Sequence, residues 1–194
     1  EKIVFTVTDR SALGSSANDM AAQFSSRALL VGSVWLSTLG MIISVYAYHV
    51  EVSVEKDPSY RALCDISERI SCSKVFSSRY GKGFGVIDRI FGKESLLNQP
   101  NSVYGMVFYL LQTVLAFFSF DSVVWLQLVL AVSANLGCVY LAYILYFVLE
   151  DMCIVCISSY IVNAFILLCS VMRVMVLVGL RQEDQESKKT KKKK

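Results

Sequence analysis

The chain contains little proline and histidine, and one long part of it contains no basic residue. Among its 194 residues are two prolines and one histidine, and no lysine or arginine lies between Lys93 and Arg173. By contrast, 55% of the residues are hydrophobic and the mean hydropathy is +0.52. That composition is too apolar for a soluble domain of this size. The sequence therefore predicts an integral membrane protein, with the stretch free of basic residues as its membrane core.

The scarcity of histidine also argues against a metal centre. His49 is the only histidine, and a single ligand without companions does not hold a metal ion. The glycine-rich residues 79–85 lack the Lys-Ser/Thr ending of a phosphate-binding loop, and no predicted strand precedes them. No flavin or haem motif is present. The sequence thus predicts no metal, no permanently bound cofactor and no nucleic-acid partner.

The apolar stretches predict an all-α integral membrane protein, a bundle of four transmembrane helices. The first stretch, 28–50, is long enough at 1.5 Å per residue to cross a ~30 Å hydrocarbon core, and it has no cleavage-like site that would make it a signal peptide. A tight turn at 119–122 makes the next two helices antiparallel neighbours. The predicted spans are 28–50, 101–120, 123–149 and 152–180, with a lumenal loop at 51–100. Residues 1–19 are interpreted as a fusion remnant or disordered N-terminus, 20–180 as the catalytic domain, and 181–194 as a basic cytosolic tail.

The order of the spans fixes which segments share a membrane face. Two crossings separate the loop 51–100 from the junction 149–153, so both lie on one side, together with the four cysteines they carry. Basic residues do not decide the side, because the loop has eight and the part of the chain after Gly179 has seven. Two sets of thiols on one face favour an oxidising lumen. Lys191 and Lys192 resemble a dilysine retrieval signal, so we predict a multi-pass protein of the endoplasmic reticulum membrane with a lumenal active site and cytosolic termini.

A pair of cysteines three residues apart opens the last apolar stretch. In a helix, the spacings three, four and three place Cys153, Cys156, Tyr160 and Asn163 along one stripe. Both cysteines would lie in the first helical turn, where unpaired amides and the helix dipole favour a thiolate. The pattern predicts a redox pair that faces a pocket with two polar side chains. A structural disulfide, or two small buried hydrophobic side chains, would have the same spacing.

Five motifs occur in order along residues 28–173. They are Cys64 with Cys72 in the segment 64–72, Ser71-Cys72-Ser73, the segment 79–85, Asn98-Gln99-Pro100-Asn101-Ser102, and Cys153-Ile154-Val155-Cys156. Together they resemble the motifs of the vertebrate vitamin K epoxide reductases. Residues 98–103 and 141–149 resemble the vitamin K epoxide reductase-like branch of that family, whereas residues 71–79 resemble the founding branch.

The resemblance implies a role for each cysteine pair. Cys153 and Cys156 match the catalytic pair, in which Cys156 attacks the quinone or epoxide and Cys153 resolves the adduct. Cys64 and Cys72 match a loop pair that relays electrons from a lumenal thioredoxin-like oxidoreductase, through a mixed disulfide between Cys72 and Cys153. The implied activity is reduction of vitamin K 2,3-epoxide to the quinone and of the quinone to the hydroquinone, with electrons supplied by thiols.

The resemblance also implies a quinone pocket that the substrate enters from membrane lipid. Asn101 and Tyr160 match residues that hydrogen-bond the two quinone oxygens, although Asn101 would also serve as a helix cap and Tyr160 as a packing residue. Tyr104 replaces the usual phenylalanine, and its hydroxyl needs a partner if it is buried. Coumarin-type inhibitors would occupy the same site. The apolar positions that match the family pocket are Phe76, which is expected to cover the ring, Tyr104, Phe108, Leu141, Leu145 and Leu149.

Two other functions stay open at this point. The same cysteine relay, run in the opposite direction, is a quinone-coupled oxidase that generates disulfides in lumenal thioredoxin-like proteins, as in bacterial relatives. A non-enzymatic four-helix membrane module, claudin-like in outline, would need only a structural loop disulfide. Replacing Cys156 would leave the function of the module intact and would destroy that of either enzyme. Cys138 and Cys169, which lie in mid-span, are predicted to be inert core thiols.

Overall fold

The computed structural model describes residues 8–92, 94–118 and 120–192, and this part of the chain is almost entirely helical. Isolated β-bridges occur in it, but no sheet forms among these residues. The elements are α1 (Thr8–Lys56), α2 (Cys72–Ser77), two 3₁₀ turns (Arg79–Gly81 and Gly83–Gly85), α3 (Ile87–Phe91), α4 (Asn101–Ala116), α5 (Asp121–Tyr143), a π-helical turn (Ile144–Val148) and α6 (Ile154–Lys192).

Within the described residues, three helical stretches are long and apolar enough to cross a membrane. They are Arg27–Lys56, Asp121–Val148 and Ile154–Thr190, and they coincide with the first, third and fourth predicted spans. Helix α4 has 16 residues, which corresponds to about 24 Å, so it is shorter than the ~30 Å core. It ends at Ala116, four residues before the predicted end at 120, and a fourth full crossing stays a prediction.

Both ends of the chain are helical where the structure describes them. Helix α1 begins at Thr8 and so includes most of the segment 1–19 that was interpreted as a remnant or a disordered terminus; residues 1–7 lie outside the described residues. Helix α6 continues through the basic tail to Lys192. Neither helix contains a proline, so nothing in these sequences forces an earlier end.

The four long helices pack with α1 against α4 and α6, and with α5 against α6. The α1–α4 contact depends on small residues. A Cβ at Gly40 would lie 2.2 Å from Cε1 of the buried Tyr109, and one at Gly105 would lie 2.6 Å from Oγ of Ser44. Close approach of the two helices therefore requires glycine at both positions.

A buried polar cluster ties together α4, α5 and α6 at the end of the bundle away from the loop. The Arg173 guanidinium donates to Oε1 of Gln127 at 2.5 Å and to the carbonyl of Ala116 at 3.3 Å. Gln127 and Gln112 in turn donate to each other's backbone carbonyls. The cation thus lies at the C-terminal end of α4, where the free carbonyls and the helix dipole favour positive charge.

The segment between α1 and α4 is joined to the start of α6 by backbone hydrogen bonds. Ile70 and Met152 form a parallel bridge, in which the N–H of Ser71 donates to the Met152 carbonyl at 3.0 Å and the N–H of Met152 donates to the Arg69 carbonyl at 2.7 Å. Cys72 and Cys153 closely follow the bridged residues in the two segments. The bridge therefore brings the loop cysteines to the cysteine pair at the start of α6.

Candidate active site

A largely apolar cavity of about 320 Å³ lies among α1, α4, α5 and α6, beside the loop. Its volume is within the range of small-molecule sites. Cys156 contributes to its wall, and so does every residue that the sequence predicts to bind substrate. Those eight residues are Phe76, Asn101, Tyr104, Phe108, Leu141, Leu145, Leu149 and Tyr160. The sequence-predicted site residues therefore meet at one cavity, although they come from four different elements of the chain and the turn that follows α5.

The two cysteines of α6 occupy different positions relative to the helix. The helix begins at Ile154, two residues later than the predicted start at 152, so Cys153 precedes its first turn. Its sulfur accepts the N–H of Cys156 at 3.2 Å, and its carbonyl accepts the N–H of Ile157 at 3.0 Å. Cys153 is therefore the N-cap, with sulfur in the place of the usual hydroxyl or carboxylate oxygen. An N–H donated to sulfur stabilises a thiolate.

The two cysteines also differ in what they face. Cys156 lines the cavity, whereas Cys153 is completely buried and does not form part of the cavity wall. Both are free thiols. Tyr160 and Asn163 line the same cavity as Cys156, so three of the four residues of the predicted stripe face one space. Cys156 is thus the sulfur that a bound ligand meets, and Cys153 is held behind it.

The loop cysteines form a disulfide that packs beside this pair. Cys64 and Cys72 are bonded to each other, with their Cα atoms 5.8 Å apart. They belong to one buried cluster with Cys153, and Cys156 packs against that cluster. Cys72 and Cys153 are both completely buried. The two pairs that the sequence predicts to exchange electrons therefore share one hydrophobic core.

Comparison with known proteins bears directly on this arrangement. The family model described as "Vitamin K epoxide reductase family" matches residues 31–171, which include both cysteine pairs. The chain belongs to the vitamin K epoxide reductase family. It is 45% identical over 142 residues to "Vitamin K epoxide reductase complex subunit 1" of Mus musculus and 44% identical to the protein of the same name from Rattus norvegicus, and each alignment covers 72% of this chain and 86% of the relative. Membership makes the chain an oxidoreductase.

The two polar residues predicted to contact the quinone differ from each other in their hydrogen bonds. Asn101 donates from Nδ2 to the Tyr80 carbonyl at 2.6 Å and accepts the N–H of Phe84 at Oδ1, at 2.9 Å. It is not the helix cap, since Pro100 occupies that position. One N–H of the amide is left for a ligand. The hydroxyl of Tyr160 has no hydrogen-bond partner within the described part of the chain, so it is available to the cavity.

The Tyr104 hydroxyl, which was predicted to need a partner, donates to the backbone carbonyl of Leu97. The extra polar group is therefore satisfied by the loop rather than by the cavity. The Tyr104 ring still lines the cavity and lies 5.3 Å from the ring of Phe84, centroid to centroid. Tyr104 thus joins α4 to the glycine-rich turn in addition to forming part of the wall.

Sequence reasoning missed polar residues of this site. Ser102 and Ser159 line the cavity, as does Cys138, which accepts a hydrogen bond from Nδ2 of Asn163 at 3.1 Å. The buried carboxylate of Glu51 accepts a hydrogen bond from Ser102. Glu51 falls in the predicted loop because it directly follows the apolar stretch 28–50, and only the longer helix α1, which runs to Lys56, places it in the interior. The serines carried no signal, because serine is common in any membrane helix.

The loop around the disulfide is organised by Asp65. Its carboxylate accepts the backbone N–H groups of Ala62 at 2.8 Å and Ser73 at 3.0 Å, and the hydroxyls of Ser71 at 2.9 Å and Ser73 at 2.5 Å. Burial acts to raise the pKa of Asp65, but these four hydrogen bonds outweigh it and lower the pKa to about 2. The ionised form of Asp65 therefore holds both ends of the segment that carries Cys64 and Cys72.

Loop stability should accordingly depend on pH in a defined direction. The pKa of Asp65 in the folded protein lies below its ordinary value of about 3.9. Its contribution to the free energy of unfolding is therefore complete above about pH 4 and is lost as the pH falls towards 2. We expect Asp65→Asn to lower the thermal unfolding temperature at pH 7 and the difference from wild type to shrink between pH 4 and pH 2. Thermal scans across this range test it. A difference that is constant with pH would contradict the role of the ionised carboxylate.

Proposed function

We propose that this protein reduces vitamin K 2,3-epoxide to vitamin K quinone, and the quinone to the hydroquinone, with Cys156 as the attacking sulfur. The observation that carries the proposal is the single cavity that combines a sulfur, two available polar groups and apolar walls. A naphthoquinone with an isoprenoid tail has that distribution of chemistry: two oxygens on an apolar ring and an apolar chain. The relatives' names, which refer to vitamin K epoxide, support the same substrate class.

The proposed reaction uses thiols as the only reductant. The Cys156 sulfur attacks the ring, and the Cys153 sulfur then attacks Cys156, which forms a disulfide and returns the electron pair to the ring. In the epoxide reaction the cysteine pair supplies two electrons, two protons are consumed, and the epoxide oxygen leaves as water. In the quinone reaction the same two electrons and two protons give the hydroquinone. Tyr160 and Asn101 hydrogen-bond the oxygens on which negative charge develops.

The loop pair is proposed to recharge the catalytic pair. Cys72 attacks the Cys153–Cys156 disulfide at Cys153, and Cys64 then resolves the mixed disulfide, which leaves Cys64 and Cys72 oxidised. The structure has Cys64–Cys72 bonded and both α6 thiols free, the arrangement expected after this transfer. A lumenal thioredoxin-like oxidoreductase is the proposed source of electrons for the loop pair. Tethering the loop beside α6 gives the exchange a high effective concentration.

The proposed setting is the endoplasmic reticulum membrane, with four crossings, a lumenal loop and cytosolic termini. This topology uses α4 as a short second span beside α1. Its consequence is that the loop disulfide and Cys153 lie on one face, as the Ile70–Met152 bridge requires. Quinone enters from lipid, and coumarin-type inhibitors that mimic its oxygens are proposed to occupy the same cavity.

The deciding experiment incubates purified protein in detergent with dithiothreitol and vitamin K epoxide. We expect quinone, and then hydroquinone, as products. The absence of turnover, together with rapid oxidation of protein thiols by added quinone, would contradict the reductase and favour the disulfide-generating oxidase.

Loss of the free hydroxyl in the cavity should weaken the reaction without abolishing it. We expect Tyr160→Phe to lower kcat/KM for the quinone by about 5- to 150-fold, the equivalent of the ~1–3 kcal/mol lost when a buried polar partner is removed. The matched control is Tyr143→Phe, because Tyr143 is 58% exposed on the outside of α5 and does not line the cavity. Equal kcat/KM for the Tyr160→Phe protein and wild type would show that this hydroxyl does not contact the substrate.

A further inference from the structure

We propose that Glu51 and Ser102 form a proton relay that leads from a polar cleft at the loop into the quinone cavity. The inference rests on the proposed function, because it supplies a proton for quinone or epoxide reduction. It assigns Ser102 as the group that donates to the substrate oxygen on the Asn101 side, and Glu51 as the group that recharges Ser102.

Glu51 and Ser102 form a hydrogen-bonded pair at the contact of α1 with α4. The Ser102 Oγ lies 2.7 Å from Oε2 of Glu51, and Ser102 and Glu51 are only 8% and 5% exposed. The second carboxylate oxygen, Oε1, is buried without a hydrogen-bond partner among the described residues. A buried carboxylate with an unpaired oxygen is costly in its charged form, whereas a protonated carboxyl is not. The site therefore favours a carboxyl group that holds a proton. In that form Glu51 donates to Ser102 Oγ across the same 2.7 Å contact, which leaves the Ser102 hydroxyl proton free to face the cavity.

Each member of the pair faces a different space. Ser102 lines the quinone cavity, in the first turn of α4 next to Asn101. Glu51 lines a separate cleft of about 420 Å³, and Phe76 forms part of the wall of both. The pair thus bridges the two spaces through a single hydrogen bond.

The cleft provides solvent with which a carboxyl can exchange protons, and its other charged side chains are paired with one another. Glu55, one turn further along α1, pairs with Lys82 of the loop at 3.0 Å, and Arg79 pairs with Asp88 of α3 at 2.8 Å. These four groups face Glu51 from the cleft, and the Cys156 thiol faces the cavity from α6. Glu55 is neutralised by its pairing with Lys82. Glu51 is the acidic residue of the cleft that is hydrogen-bonded to a residue of the cavity.

The geometry of a quinone explains the need for such a path. Its two oxygens lie on opposite sides of the ring, so an oxygen near Cys156 and Tyr160 can receive a thiol proton, whereas the other, near Asn101, is distant from both sulfurs. Asn101 donates a hydrogen bond but does not transfer a proton, since an amide is too weak an acid. A hydroxyl backed by a carboxyl group can do so.

Protons and electrons balance in the proposed reaction. Cys156, which loses its proton to the quinone oxygen beside it as it attacks, and the Cys153 thiolate give up two electrons and become a disulfide, and the quinone accepts both electrons. The first quinone oxygen therefore takes the Cys156 proton. The other takes the Ser102 hydroxyl proton as Ser102 accepts the Glu51 proton, and the resulting Glu51 carboxylate regains a proton from the cleft. Glu51 acts through Ser102, so Ser102 is the catalytic residue of the relay and Glu51 is its proton source.

The test compares Glu51→Gln with Glu55→Gln in quinone and epoxide turnover driven by dithiothreitol. The glutamine side chain keeps the volume and a hydrogen bond to Ser102 but has no proton to transfer. We expect kcat to fall on the order of 100-fold with KM little changed. In the wild-type protein kcat should fall at alkaline pH as Glu51 loses its proton, and Glu51→Gln should not show that fall. Glu55→Gln, in the same cleft, should retain wild-type kcat and its pH profile. Ser102→Ala should reproduce the loss, and Ser102→Thr, which retains a hydroxyl, should restore most of the rate.

Reduction of the Cys153–Cys156 disulfide by dithiothreitol, followed by thiol labelling, is measured in every variant, because a relay defect leaves it unchanged. If Glu51→Gln does not fold, Ser102→Ala against Ser102→Thr provides the same comparison. Wild-type kcat in Glu51→Gln or Ser102→Ala, or an equal loss in Glu55→Gln, would overturn the relay while the reductase activity stands. Absence of turnover in the wild-type protein would overturn the proposed function and the relay with it.

Discussion

Replacing Cys156 with serine should abolish turnover of vitamin K epoxide and quinone. A serine hydroxyl is not ionised near neutral pH and forms no disulfide with Cys153, so both the attack and the resolution step are lost. Removal of an attacking nucleophile costs several orders of magnitude in kcat. The measurement is quinone formation with dithiothreitol as reductant, with the folded state checked by thermal unfolding.

Cys169→Ser is the matched control for this substitution. Cys169 lies on the same helix, is also a free thiol and does not line the cavity, so we expect its replacement to leave the rate unchanged. A Cys156→Ser protein that keeps its biological function would contradict both enzymatic functions and would favour a non-enzymatic membrane module.

Removing the loop cysteines should separate two kinds of reductant. With a thioredoxin-like protein as the electron source, Cys64→Ala and Cys72→Ala should reduce turnover about tenfold or more, because a protein is too large to enter the cavity and the tethered relay is lost. With a small membrane-permeant dithiol the loss should be slight. Such a reductant reaches the catalytic disulfide through the cavity, where Cys156 is accessible.

The two reductants are compared in the same preparation of each variant, with Cys169→Ala as the control for loss of a thiol. Equal losses with both reductants would contradict the relay and would make the loop disulfide a structural one. The ratio of the two rates is informative even if the variants are less stable, because instability lowers both rates together.

The sequence predicted the cysteine stripe and the long helices because both depend on local periodicity. Cys156, Tyr160 and Asn163 face one cavity because their spacing follows the helical turn, and an apolar run such as 28–50 has few alternatives to a helix. The lining residues from the loop, α4 and α5, such as Phe76 and Leu141, came from the family resemblance. No periodicity within one segment brings together residues so distant in the chain.

Other features depended on tertiary contacts that a linear sequence does not contain. Helix α6 starts later than predicted because the Cys153 sulfur caps it, and thiols are uncommon caps. The Asn101 amide binds the backbone of the glycine-rich turn, where Phe84 has a φ of 57°; only the folded chain shows that turn beside α4. The importance of Glu51 depends on Ser102, which is 51 residues away.

The backbone bridge between Ile70 and Met152 has a consequence for the order of events in a catalytic cycle. While it is intact, Cys64 is almost inaccessible and Cys72 fully so, and a protein donor outside the membrane has no route to either sulfur. In the proposed relay the bridge would have to open for the donor to reach the loop, and that opening would separate Cys72 from Cys153. The proposed relay would therefore take up electrons and deliver them in two alternating steps, and electrons would not pass straight from the donor to the quinone.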